Sequence, residues 1–164
     1  MIIGTVTGDA EVIKKLRSMP QQIRAKLADE IKKQWFALQA HVVQRKLSGQ
    51  VLRRVTGNLA SSINVGGRNS ASEFVNTGQG DIIGRVGTKV RYGRVHEFGG
   101  TFTIKAHTRR FTQVYGRPVE PGVMNVRSYT MRMPERSFLR SSLRDRDPTI
   151  RGAMRRAVME AIKS

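Results

Sequence analysis

The sequence predicts an α+β fold. Apolar residues repeat at the helical period over a long segment near the N-terminus. The middle of the chain changes to short strand-like runs punctuated by glycine, and the C-terminal part returns to the helical period. Residues 101–132 alternate like strands but are polar and rich in arginine, which reads as an extended β-arm or loop rather than buried core.

The elements follow in order. Residues 1–7 read as a short strand ending at the Gly8-Asp9 turn, and 9–19 as a short helix with Val12, Ile13 and Leu16 on one side. Pro20 suits a first helical turn, where its missing N–H has no partner to lose. Ile23, Leu27, Ile31, Trp35, Leu38 and Val42 then recur three and four apart, predicting a helix over about 20–47 that stops at Ser48-Gly49. Such a helix is about 40 Å long and must cross most of one face. Trp35 is its expected core anchor, and His41 an expected polar-face or satisfied histidine.

The run TGNLASSI at 56–63 predicts a short helix or turn leading into a strand around 63–65, and GGRNS at 66–70 a loop. Strands are expected at 72–76 and 82–87, joined by a hairpin turn at 77–81. The alternating segments 101–105, 110–114 and 123–132 are broken by YGRP at 115–118 and EPG at 120–122. Helices are expected at 137–143 and 149–162, the second carrying Ile150, Met154, Val158 and Ile162 at four-residue steps. Asp147-Pro148 marks the break between them.

At 164 residues the chain suits one domain, 1–164, able to bury a core without staples. It has no cysteine, which excludes disulfides, thiolate zinc sites and cysteine nucleophiles. There is neither a basic, apolar leader nor an apolar run long enough to span a bilayer, so a soluble, unexported chain is the expectation. Thirty Lys and Arg against twelve Asp and Glu give a formal charge of +18. A surface so basic attracts acidic proteins or nucleic acid.

The residues of catalysis are missing. His96-Glu97 begins like a zinc-protease helix, but the second histidine would fall at Gly100. His41 and His107 stand alone, and no nucleophile elbow, P-loop or dinucleotide fingerprint occurs. Asp145 and Asp147 sit beside Arg144 and Arg146, and do not make a two-metal set. Neither an enzyme nor a cofactor or metal protein is expected. Arg140, Arg144, Arg151 and Arg155 fall on one side of the C-terminal helical region, yet aromatics are sparse and no nucleic-acid motif appears. Any DNA contact would therefore be to phosphates, and salt-sensitive.

Three motifs stand in order: TGNLASSI at 56–63, VGTKVRYGRVHEFGG at 86–100 and MPERSFLR at 133–140, the last followed by a helix. Together, over roughly 20–164, they resemble the tail-component and virion-morphogenesis proteins of tailed phages, the tail-completion or head–tail joining group. Two departures are visible. Ser137 stands where that family often has proline, and 106–132 is longer than a minimal connection, an added arm able to reach a neighbouring subunit.

The motif residues read as structural. Gly57 permits a turn, and Leu59 and Ile63 place two apolar groups on one face. Tyr92, Val95 and Phe98 are expected to pack inward, with Gly99-Gly100 ending their short helix. Phe138 and Leu139 would dock the last helices, and Arg136 would pair with Glu97, beside His96. The resemblance implies a small antiparallel sheet crossed by one long helix and closed by C-terminal helices. It also implies a virion protein, assembled in the host cytoplasm as a ring, commonly a hexamer, that completes the tail and meets connector, neck and tail-tube proteins. Arg109, Arg110, Tyr115, Arg117, Arg127 and Arg132 are the candidates for contact with a neighbouring subunit or with packaged DNA. No membrane or small-molecule partner is implied. A tail terminator or connector stopper in the same neck remains open, as does a non-specific DNA-binding protein. Binding that falls steeply with salt would mark the last.

Overall fold

Helix α1, Gln21–Gln44, is the longest element before the C-terminal helix, about 36 Å at the helical rise. In the computed structural model, which describes residues 2–5, 21–78, 80–114 and 117–163, it is preceded by strand β1, Ile2–Thr5. The helix expected at 9–19 lies outside the described residues. Leu27, Trp35, Leu38 and Val42 of α1 are buried, as their period requires. The helix stops earlier than 47, giving way to a 3₁₀ turn at Lys46–Ser48 that buries Leu47.

A short helix α2, Asn58–Ser61, follows. Gly57 precedes it at φ 77°, a left-handed conformation that costs glycine nothing. The strand expected around 63–65 does not form. Backbone N–H groups of Ile63, Asn64 and Gly67 bond back to Ala60, Ser61 and Asn64, so the chain turns there instead. Ile63 points into the core from that turn, wholly buried.

Strands β2, Glu73–Asn76, and β3, Ile82–Thr88, form an antiparallel hairpin, and β1 pairs antiparallel on the other side of β3. The sheet packs on α1 through Trp35. Its indole N–H donates to the Arg85 carbonyl at 2.7 Å, and a side chain on Gly84 would press into the ring at 3.1 Å. Trp35 therefore packs closely on a strand that bears no side chain at that point. Phe74, partly buried, completes the contact at 5.6 Å between ring centroids.

Helix α3, Arg91–Phe98, leads into β4, Gly100–Ile104. Strands β5, His107–Val114, β6, Arg117–Val126, and β7, Tyr129–Met133, come next. β4 pairs with β7 and β5 with β6, so 100–133 is one long antiparallel hairpin interrupted at 105–106 and 127–128.

The C-terminus is a single helix, α4, Leu139–Lys163, not two. Pro148 sits inside it and removes one backbone hydrogen bond. Side-chain ties to α1 and to the 3₁₀ turn after it hold the helix together across this site. Arg146 donates to Gln34 at 3.0 Å, and the Lys46 ammonium reaches Asp145 at 2.6 Å. The exposed face adds an Asp147–Arg151 pair one turn apart. Leu139 and Phe138 enter the core with Trp35, Leu38, Val42, Leu47, Leu52, Ile63 and Val86. An α+β fold results, with the two long helices packed on each other, a small antiparallel sheet against α1, and a two-stranded hairpin beyond.

Candidate functional site

The three motifs meet at α3. A side chain on Gly93 would lie 3.0 Å from Thr88, 3.3 Å from Leu59 and 3.9 Å from Phe138, which places all three motifs around one bare backbone position. Ser62 and Thr88 hydroxyls share a buried hydrogen bond of 2.7 Å. Ser62 also donates to the Leu59 carbonyl, and Thr88 accepts from the Val90 N–H.

Glu97 is the centre of this junction. It is fully buried, and its carboxylate caps α4 from outside that helix. Phe138 and Leu139 N–H donate to one oxygen at 2.8 and 2.9 Å. The other accepts from Arg140 N–H at 2.9 Å, Ser137 hydroxyl at 2.7 Å and Arg140 Nε at 3.3 Å. A helix start leaves such N–H groups without internal partners and favours negative charge. Burial alone would raise the Glu97 pKa. The bonds from Leu139, Arg140, Ser137 and Phe138 outweigh it and hold the group below its ordinary value.

The expected Glu97–Arg136 pair is replaced by Glu97–Arg140. The Arg140 guanidinium also reaches Glu135 at 2.6 Å and lies 4.7 Å above the Phe98 ring. Arg136 contributes its backbone N–H to the His96 carbonyl instead. Tyr92 and Phe98 do not pack inward; they are 43% and 49% exposed, and Gly93 and Glu97 occupy the inner face. Gly99 ends α3 at φ 64°. A side chain there would meet the Glu135 nitrogen at 2.7 Å and the Met133 oxygen at 2.9 Å.

From this junction the hairpin departs. β5 and β6 pair with each other and touch the rest of the chain only slightly. The β5 ladder alone is about 27 Å long. It shifts register between Phe111 and Gln113, where the Phe111 ring covers Gly122. Arg109, Arg110, Arg117, Arg127 and Arg132 are all exposed, and so are Val119, Val123, Met124, Tyr129 and Met131. Tyr115 lies outside the described residues.

Beside the junction lies a cleft of about 410 Å³. Leu47, Leu52, Leu59 and Ala60 line it together with Val55, Tyr92 and His96, and Arg53, Arg54 and Arg136 stand among them. Burial, and then the charge of Arg136, lower the His96 pKa. Among the described residues no group of His, Cys, Asp and Glu is placed to hold a metal ion, and no helix is long and apolar enough to cross a membrane.

Residues 10–99 match the family described as "Bacteriophage HK97-gp10, putative tail-component". The chain belongs to this family. Membership of the HK97 gp10-like family makes it a structural phage protein of the tail-component class. Its place is in the virion, among other phage structural proteins. The matched residues hold the first motif and all but the last residue of the second, and end at Gly99, just before the hairpin begins, so the third motif lies beyond them. No curated protein and no solved structure gives a significant match.

Sequence reasoning missed the capping role of Glu97 and the part played by Arg140. The available signal was a helix start, SFLR, with no acidic residue of its own in the first turn.

Proposed function

We propose that the chain acts as one domain in a ring at the phage head–tail junction, completing the tail and joining it to the head connector. The ring is most simply a hexamer, and the hairpin is the arm by which each copy engages its neighbour. One observation carries this reading. The β5–β6 ribbon exposes Val119, Val123 and Met124 while packing on little else of its own chain. An isolated two-stranded hairpin is marginal in water, so a ribbon with exposed apolar residues gains its stability on a partner. Arg109, Arg110, Arg117, Arg127 and Arg132 give the same arm a charge suited to an acidic neighbour. The function is then assembly rather than turnover, and no cofactor enters it.

Cryo-electron microscopy of purified virions tests this. The expected image is a ring of this chain between connector and tail tube, its arms crossing subunit boundaries. A tail terminator or a connector stopper would show the same chain in another layer of the neck. A variant with 106–127 replaced by a two-residue turn should keep its thermal transition and lose assembly. A chain absent from the virion would sink the reading.

Contact with packaged DNA is a second reading, favoured by the exposed Arg144 and Arg155 on α4. Their neighbours on that face are engaged, Arg140 by Glu97 and Glu135, and Arg151 by Asp147. The free positive face is therefore narrower than the sequence indicates.

A further inference from the structure

The cleft beside α3 has a composition that the assembly reading does not use. Its lining contains no carboxylate, and Arg53, Arg54 and Arg136 are exposed without an acidic partner among the described residues. The rest of the lining is largely apolar, with Leu47, Leu52, Leu59, Ala60 and the Tyr92 ring. Val55 stands at the cleft 91% exposed, an apolar side chain left in water by its own fold. Nδ1 of His96 is buried with no hydrogen-bond partner among the described residues.

We propose that this cleft binds an acidic peptide segment of another protein, carrying one large apolar side chain that enters between Leu52, Leu59 and Tyr92. Charge complementarity identifies the occupant. Three guanidinium groups without acidic partners in a largely apolar lining match carboxylates beside an apolar anchor. The volume falls in the range of ligand clefts, about 300–1,000 Å³. A second copy of this chain is a poor occupant through its hairpin, because Arg109, Arg110 and Arg117 would face the three arginines. A nucleic-acid backbone satisfies the charges but leaves the apolar lining and Val55 uncovered. The proposal is independent of ring formation, since each chain carries the whole cleft.

An array of short acidic peptides, each with a different central residue, probed with the full-length protein, tests it directly. Binding of the best sequence is then measured by fluorescence anisotropy. Peptides with a central Leu, Ile, Met or Phe should bind at least about tenfold more tightly than those with Ser or Gly, a difference of about 1.4 kcal/mol. The double variant Arg53→Glu/Arg54→Glu should weaken the best peptide by about tenfold or more. Arg144→Glu/Arg155→Glu changes the net charge equally on the surface of α4 and should leave binding within about twofold. Equal weakening by both variants, or indifference to the central residue, would reduce the effect to general attraction and overturn the proposal. So would a short DNA duplex that displaces the peptides and loses affinity only with the first variant.

Discussion

Replacing Glu97 by glutamine keeps the shape of the side chain and removes its charge from the start of α4. The carboxylate accepts from the Phe138, Leu139 and Arg140 N–H groups and the Ser137 hydroxyl within 2.7–2.9 Å, in a site closed to solvent. In Glu97→Gln one oxygen becomes an NH₂ facing donors, so at least one N–H loses its acceptor, costing about 1–3 kcal/mol. Loss of the charge at the helix start adds about 1 kcal/mol. A destabilisation of about 2–4 kcal/mol is expected, a large share of the 5–15 kcal/mol typical of a domain. Glu97→Ala should cost about 3–5 kcal/mol, because it removes both acceptor oxygens and leaves a cavity. Urea unfolding followed by the fluorescence of Trp35, the sole tryptophan, reads these values.

The same clasp fixes a pH dependence. The folded Glu97 pKa lies below the unfolded one, so its contribution is complete above the ordinary carboxylate range and is lost as pH falls through the folded value. Glu97→Gln should flatten the stability curve below about pH 4.5. A glutamine variant within about 0.5 kcal/mol of the parent, with an unchanged acid limb, would refute an anionic cap.

Other perturbations have equally definite outcomes. Gly99→Ala forces a Cβ to 2.7 Å from the Glu135 nitrogen at a positive φ, and should cost about 2–4 kcal/mol in urea unfolding. Trp35→Phe loses the bond to the Arg85 carbonyl and part of the buried ring. About 2–3 kcal/mol is expected, measured by far-UV circular dichroism. Asp145→Ala strands Lys46, which is 5% exposed, and should cost about 1–2 kcal/mol. Lys46→Met in the same chain should restore most of this in a double-mutant cycle. His96 has a folded pKa below its unfolded value, so stability should fall as pH drops below about 6.5, and His96→Gln should remove that slope in pH-dependent thermal melts.

Much of the frame was legible because it rests on periodic burial. The apolar spacing of α1, its Trp35 anchor, the β2–β3 hairpin and the left-handed Gly57 all follow from local rules that tertiary packing reinforces. α3 was misread for the opposite reason. Its inner face is Gly93 and Glu97, one chosen for having no side chain and the other for capping a helix that begins at Leu139. Neither carries a hydrophobic period, so Tyr92 and Phe98 took their place in the reading. Pro148 announced a break that the ties from the 3₁₀ turn to Asp145 and from α1 to Arg146 override. The strand expected at 63–65 lost to turn hydrogen bonds that deliver Ile63 to the core.

The hairpin is built as a cantilever. Both of its ends are gripped at one place, where Gly99 fits against Met133 and Glu135, the Arg136 N–H bonds the His96 carbonyl, and Glu97 fastens the start of α4. Load applied to the β5–β6 ribbon is borne at that root, since the ribbon touches the rest of the described chain only slightly. Changes in the length and sequence of the outer ribbon therefore carry little cost to the core. Sequence variation can be accommodated beyond Gly99, in the stretch where the family match has already ended.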